Sequence, residues 1–142
     1  MAQFRFAFLL QLARDEREDA ARAMQEAQAR WLTAQGKLDQ LEGYRTEYRS
    51  RLTGQTGGGM TVAQWRDYQL FLAKLDVACQ QQREEIARLQ QRYDDLRLVW
   101  LEKERKVKAF EALEQRHHQN EQLKENRREQ KMLDDFNSRR SR

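Results

Sequence analysis

His117 and His118 are the only imidazoles in a chain of 142 residues, and Cys79 is its one thiol. A histidine pair is suited to hold a metal or move a proton, and a thiolate to act as a nucleophile. The spacing argues against the first. Neighbouring residues of a helix point about 100° apart, so two adjacent imidazoles cannot close on one metal from one helix. The sequence therefore predicts a solvated histidine pair, and for Cys79 a place as a small apolar core residue. A single cysteine excludes an internal disulfide. There is no glycine-rich phosphate loop, no cysteine pair and no nucleophile elbow. The expectation is a protein that is not an enzyme and has no catalytic residue, metal or cofactor.

The basic run Lys103-Glu104-Arg105-Lys106-Val107-Lys108 and the end Arg139-Arg140-Ser141-Arg142 have the charge to contact nucleic acid or anionic lipid. Yet 27 Lys and Arg stand against 23 Asp and Glu, a net charge of only +4. Acidic residues interleave with most of the tail, whereas proteins that track phosphates carry a one-sided basic stripe. A solvated helix surface, with no nucleic-acid partner, is the expected reading.

Composition then limits the elements. Charged residues make up 35% of the chain, apolar ones 39%, and there is no proline. The mean hydropathy of -1.09 leaves little apolar surface for a rounded core. Disordered chains are rich in Pro and poor in aromatics, but this one has 3 Trp, 4 Tyr and 6 Phe. Long amphipathic helices remain, since their narrow apolar stripe needs few hydrophobic residues. No run approaches the roughly 20 apolar residues that span a bilayer. The opening from Met1 to Leu10 is too short for a signal-peptide core and reaches Arg14 without a cleavage site. A cytoplasmic protein is expected.

Four of the six glycines fall in Thr53-Gly54-Gln55-Thr56-Gly57-Gly58-Gly59, the one obvious break. Upstream, Leu10, Arg17, Met24, Trp31, Leu38, Arg45 and Leu52 recur every seven residues, as do Phe6, Ala13, Ala20, Ala27, Ala34, Leu41 and Tyr48. Downstream the rows are Trp65, Leu72, Cys79, Ile86, Tyr93, Trp100, Val107 and Tyr68, Leu75, Gln82, Leu89, Leu96, Lys103, Phe110. Such paired rows are the a and d positions of a coiled coil. A short loop between long helices makes them antiparallel neighbours. The predicted fold is all-α: one domain over 1–142, a two-helix antiparallel coiled-coil hairpin. Helix one spans about 4–52, the tip loop 53–59 and helix two about 61–136.

Size complementarity favours a register in which Ala13 faces Trp100, Ala34 faces Cys79, Phe6 meets Val107 and Tyr48 meets Trp65. A one-heptad slip toward the tip sets Tyr48 against Gly58; a slip the other way leaves residues 60–67 unpaired. In the favoured register helix two overhangs the N-terminus from Glu111 onward. The overhang has no Pro or Gly, but like-charge pairs such as Glu121 with Glu125 weaken it. It is expected to fray when free and to order on a partner, with Met132, Leu133 and Phe136 as its apolar face. Near the tip, Tyr44 is expected opposite Phe71, beside Leu41, Tyr48 and Leu75. That aromatic-aliphatic patch reads equally as a widened seam or as a partner site.

Three stretches then carry a resemblance. They are Leu41-Glu42-Gly43-Tyr44-Arg45-Thr46-Glu47-Tyr48-Arg49-Ser50, Trp65-Arg66-Asp67-Tyr68-Gln69-Leu70-Phe71 continuing to Leu75 and Ala78, and Glu125-Asn126-Arg127-Arg128-Glu129-Gln130-Lys131 followed by Asp134-Asp135-Phe136. In order and spacing the chain resembles the flagellar type III export protein FliJ family over nearly its whole length. The resemblance implies a hairpin similar to the central stalk of rotary ATPases. It implies as partners the hexameric export ATPase (FliI), the cytoplasmic part of the export gate protein FlhA, and export chaperones. Such a protein is monomeric when free and peripheral to the inner membrane through the gate. The family's gate-binding surface falls on Leu41, Tyr44, Tyr48, Phe71, Leu75 and Ala78. Residues expected toward the ATPase are Phe6, Leu10, Arg127, Lys131 and Phe136. The competing readings are a stand-alone structural coiled-coil oligomer and a basic helical nucleic-acid binder.

Overall fold

The computed structural model describes residues 3–55 and 59–141. It holds two helices, α1 (Ala7–Gln55) and α2 (Val62–Arg140), and no strand among the described residues. The helices pack against each other as an all-α hairpin, and their contacts run antiparallel. In one unit, built from Met1–Ala21 and Val99–Arg142, Phe6 meets Phe110 and Arg17 meets Glu104. In the other, Arg22–Leu98, Ala34 meets Gln82 and Tyr48 meets Phe71.

Local chemistry fixes the helix ends. The start of α2 is a reciprocal capping box: the Gln64 amide N–H donates to Thr61 Oγ1 at 3.1 Å, and the Thr61 amide N–H donates to Gln64 Oε1 at 3.1 Å. Two backbone donors that the first turn would leave unpaired are thereby satisfied. At the other end, Arg139 and Arg140 lie in the last turn, where positive charge complements the helix dipole. The loop expected over 53–59 begins later than its composition suggests. Thr53 and Gly54 belong to α1, with Thr53 Oγ1 donating to the Arg49 carbonyl at 2.8 Å, and residues 56–58 lie outside the described ones.

The apolar rows do face one another. In the first unit Leu10, Ala13 and Val107 form a buried cluster, with Phe4 and Phe110 packed against it. In the second, Ala27, Ala34, Leu72, Leu75 and Cys79 are buried. Cys79 is fully enclosed, as expected of a small core residue.

The register is one heptad away from the one that size complementarity favours. Val107 sits with Leu10 and Ala13, not with Phe6. Ala34 receives the Gln82 side chain, and Tyr48 meets Tyr68 and Phe71 rather than Trp65. A heptad pattern looks the same after a seven-residue slip, so apolar rows alone cannot choose. Charges beside the seam do. In the observed register Arg17 reaches Glu104 at 3.2 Å, Lys103 reaches Glu16 at 3.3 Å, Arg83 reaches Glu42 at 2.9 Å, and Arg45 and Arg49 converge on Asp76 at 3.4 and 3.3 Å. Each such pair contributes about 0–1 kcal/mol, but all of them favour the same register.

The overhang shifts accordingly. Glu111, expected to begin it, instead pairs with Arg14 at 3.9 Å, and Phe4 reaches as far as His117. From Gln122 to Arg140 every residue of α2 is exposed. Side-chain links along this stretch include Gln122 to Asn126 and Gln130 to Asp134, each at 3.2 Å.

Candidate functional site

The candidate face near the start of α2 is built by about two turns of α1 and three of α2 pressed together. Tyr48 lies half-buried between Tyr68, with ring centroids 5.9 Å apart, and Phe71, at 4.7 Å. The Arg51 guanidinium covers the same Tyr48 ring at 5.6 Å, a cation–π contact. Leu75 is buried beneath the face, Leu41 and Ala78 are half-buried, and Tyr44 and Phe71 stand 51% and 41% exposed. Tyr44 is not the neighbour of Phe71, contrary to the sequence expectation. The heptad shift brings Tyr48 there instead and leaves Tyr44 with its ring toward solvent.

All six residues therefore lie on the same paired stretch of α1 and α2, in two roles. Leu41, Tyr48, Leu75 and Ala78 hold the helices together. Tyr44 and Phe71 offer the accessible aromatic surface. Leu70 and Val77 extend apolar exposure onto the outer side of α2, 57% and 56% exposed, where they line a shallow groove of about 350 Å³ with Ala73, Lys74, Ala78 and Gln81. Sequence reasoning passed over these two. Their signal is readable, since both occupy the outermost heptad position, normally polar.

The residues expected toward an ATPase divide as well. Leu10 is buried in the core cluster, and Phe6 packs on Phe110 at 6.4 Å with the Arg5 guanidinium over its ring at 5.6 Å. Arg127, Lys131 and Phe136 all lie exposed on the last turns of α2. Among the described residues, neither Arg127 nor Lys131 has an ion-pair partner. Met132, Leu133 and Phe136 share one uncovered apolar face.

The histidine pair corrects the sequence reading. His118 is exposed, but His117 is half-buried, with its ring 5.7 Å from Phe4. Phe4, Arg5 and Phe6 lie along Leu113, Arg116, His117 and Asn120, bordering a groove of about 310 Å³. Phe4 and Phe6, two residues apart, are the sequence clue that this segment packs on a neighbour, whereas Phe8 is exposed. Among the described residues, no group of three or more His, Cys, Asp or Glu side chains could hold a metal ion. Among the described residues, no helix is long and apolar enough to cross a membrane.

Two long antiparallel helices with exposed aromatic and charged faces define an all-α helical hairpin. The model of one family, the flagellar FliJ protein, matches residues 1–142. The flagellar FliJ protein of Escherichia coli strain K12 is 35% identical over 130 residues, covering 92% of this chain and 88% of the relative. That of Salmonella typhi is 34% identical over 128 residues, covering 90% and 87%. The chain belongs to the flagellar FliJ protein family.

Proposed function

We propose that this protein is a non-enzymatic, soluble component of the flagellar type III protein export apparatus. It acts as a stalk-like hairpin that binds the hexameric export ATPase and the cytoplasmic part of the export gate. Family membership supports the setting. One observation carries the reading: Tyr44 and Phe71 are exposed aromatic residues on a face whose remaining members, Leu41, Tyr48, Leu75 and Ala78, are spent on helix pairing. Rigid, partly exposed aromatics over an ordered base are the usual anchors of protein interfaces.

In this reading the gate docks on Tyr44 and Phe71. The ATPase engages the last turns of α2, where Arg127, Lys131 and Phe136 supply unpaired cations beside an uncovered apolar face, together with the N-terminal Phe6 segment, which Leu10 anchors. The protein promotes ATPase assembly and assists the handling of export chaperones. It is cytoplasmic and reaches the inner membrane through the gate. Hydrolysis belongs to the ATPase; the hairpin supplies contact and leverage.

The test is a pull-down of purified ATPase and purified gate cytoplasmic domain with the full chain. Capture of both supports the reading, and capture of neither refutes it.

A further inference from the structure

Leu70 and Val77 are apolar in the outermost heptad row of α2, which a two-helix hairpin normally leaves polar. The next two members of that row, Glu84 and Gln91, are polar. The apolar stretch therefore ends where the groove beside it ends.

The residues lining that groove have a particular spacing. Leu70, Ala73, Lys74 and Val77 stand at i, i+3, i+4 and i+7. Lys74, Val77, Ala78 and Gln81 repeat the same spacing one turn further on. Four residues so placed outline the hole that receives one side chain of a facing helix in coiled-coil packing. The first helix does not use these holes, because the seam it shares with α2 runs through Leu72, Leu75 and Cys79. The groove of about 350 Å³ is thus two open holes in succession, with the small side chains of Ala73 and Ala78 leaving room in them.

Two observations say what fits there. Lys74 is the one charged side chain lining the groove, and among the described residues it has no ion-pair partner. An occupant with a carboxylate beside its apolar side chains complements it. Ala78 also belongs to the face that carries Phe71, seven residues earlier in the row flanking the seam, so the groove and that face are continuous.

We propose that the cytoplasmic part of the export gate lays an amphipathic helix along this side of α2, seating two apolar side chains one turn apart in the two holes and a carboxylate against Lys74. The proposal rests on gate docking at Tyr44 and Phe71 and extends that contact to the outside of α2. It gives Leu70 and Val77 a role that helix pairing does not. The holes set which side chains are accepted and where along α2 the gate helix sits, while Lys74 selects an acidic partner over a basic one.

The test measures the affinity of the full chain for the purified cytoplasmic gate domain. Ala73→Leu fills the first hole and should weaken binding about tenfold. The double variant Leu70→Ala, Val77→Ala removes the walls and should do the same, about tenfold. Lys74→Glu should weaken binding about tenfold at low salt and less in about 0.5 M NaCl, which screens the charge. Leu98→Ala removes an exposed leucine further along the same outer row and should leave the affinity unchanged. All four substitutions are at exposed positions, so helicity and the urea midpoint should hold in each variant. Unchanged affinity in Ala73→Leu and in the Leu70→Ala, Val77→Ala protein, with Tyr44→Ala, Phe71→Ala still defective, would overturn this inference and leave gate docking standing. An equal loss with Leu98→Ala would also overturn it, since the groove would then have no special part. A wild-type chain that captures no gate domain would overturn both readings together.

Discussion

Phe71 rests on Tyr48, their ring centroids 4.7 Å apart, while Tyr44, one turn earlier on the same helix, is left 51% exposed. The two tyrosines of this segment therefore do different work, although in sequence they look interchangeable. Tyr48 stabilises the helix pair. Tyr44 is free to touch something else.

Removing Tyr44 and Phe71 together should then separate binding from stability. The double variant Tyr44→Ala, Phe71→Ala is expected to weaken capture of the gate domain at least tenfold, with nearly unchanged helicity and ATPase stimulation. Tyr48→Ala, by contrast, removes a half-buried ring and should cost about 1–3 kcal/mol in urea unfolding. Equal loss of gate and ATPase binding in the double variant would contradict this division.

The end of α2 predicts the opposite pattern. Residues 125–141 are exposed throughout, so truncation before Glu125 should leave the urea midpoint of the remaining hairpin unchanged. ATPase association should fall first and gate binding persist. A truncated protein that stimulates the ATPase normally would refute a role for Arg127, Lys131 and Phe136.

The capping box at the start of α2 offers a purely structural prediction. Thr61→Ala abolishes the Oγ1 acceptor of the Gln64 amide and should destabilise the hairpin by about 1 kcal/mol. Thr61→Ser should recover most of it. Chemical denaturation followed by circular dichroism measures both.

Register can be tested through charge. Arg17 and Glu104 pair at 3.2 Å with both side chains about one-quarter exposed. Arg17→Glu places two carboxylates together and should cost about 1 kcal/mol, and adding Glu104→Arg should restore most of that loss. An additive pair, with no recovery in the double variant, would contradict the observed alignment.

How far the sequence reached is clearest at these residues. Seven-residue rows and the glycine cluster were enough to give two helices, their antiparallel pairing and the burial of Ala13, Ala34 and Cys79. They were not enough for the alignment, because a heptad pattern repeats under a slip of seven and the deciding terms, Arg17 with Glu104 and Arg83 with Glu42, lie outside the apolar rows. The candidate face was legible as a set of six residues but not in its division of labour, which depends on that alignment. Leu70 and Val77 lie outside the apolar rows, at outer positions that seam periodicity does not assign. In sequence His117 looks solvated, because nothing in its own neighbourhood reveals that Phe4, more than a hundred residues earlier, reaches it.

The oligomeric state separates the proposed role from a self-assembling scaffold. Sedimentation velocity is expected to give a monomer at micromolar concentration, with Leu70, Val77 and Phe136 still exposed; a stable dimer or tetramer would favour the scaffold.

The central claim, one chain holding two partners through separate surfaces, is tested most directly by mixing this protein with both the export ATPase and the cytoplasmic gate domain and separating the mixture by gel filtration. The account predicts a single peak containing all three proteins, which loses the gate with Tyr44→Ala, Phe71→Ala and loses the ATPase on truncation before Glu125. Two mutually exclusive binary complexes, each displaced by the other partner, would contradict it.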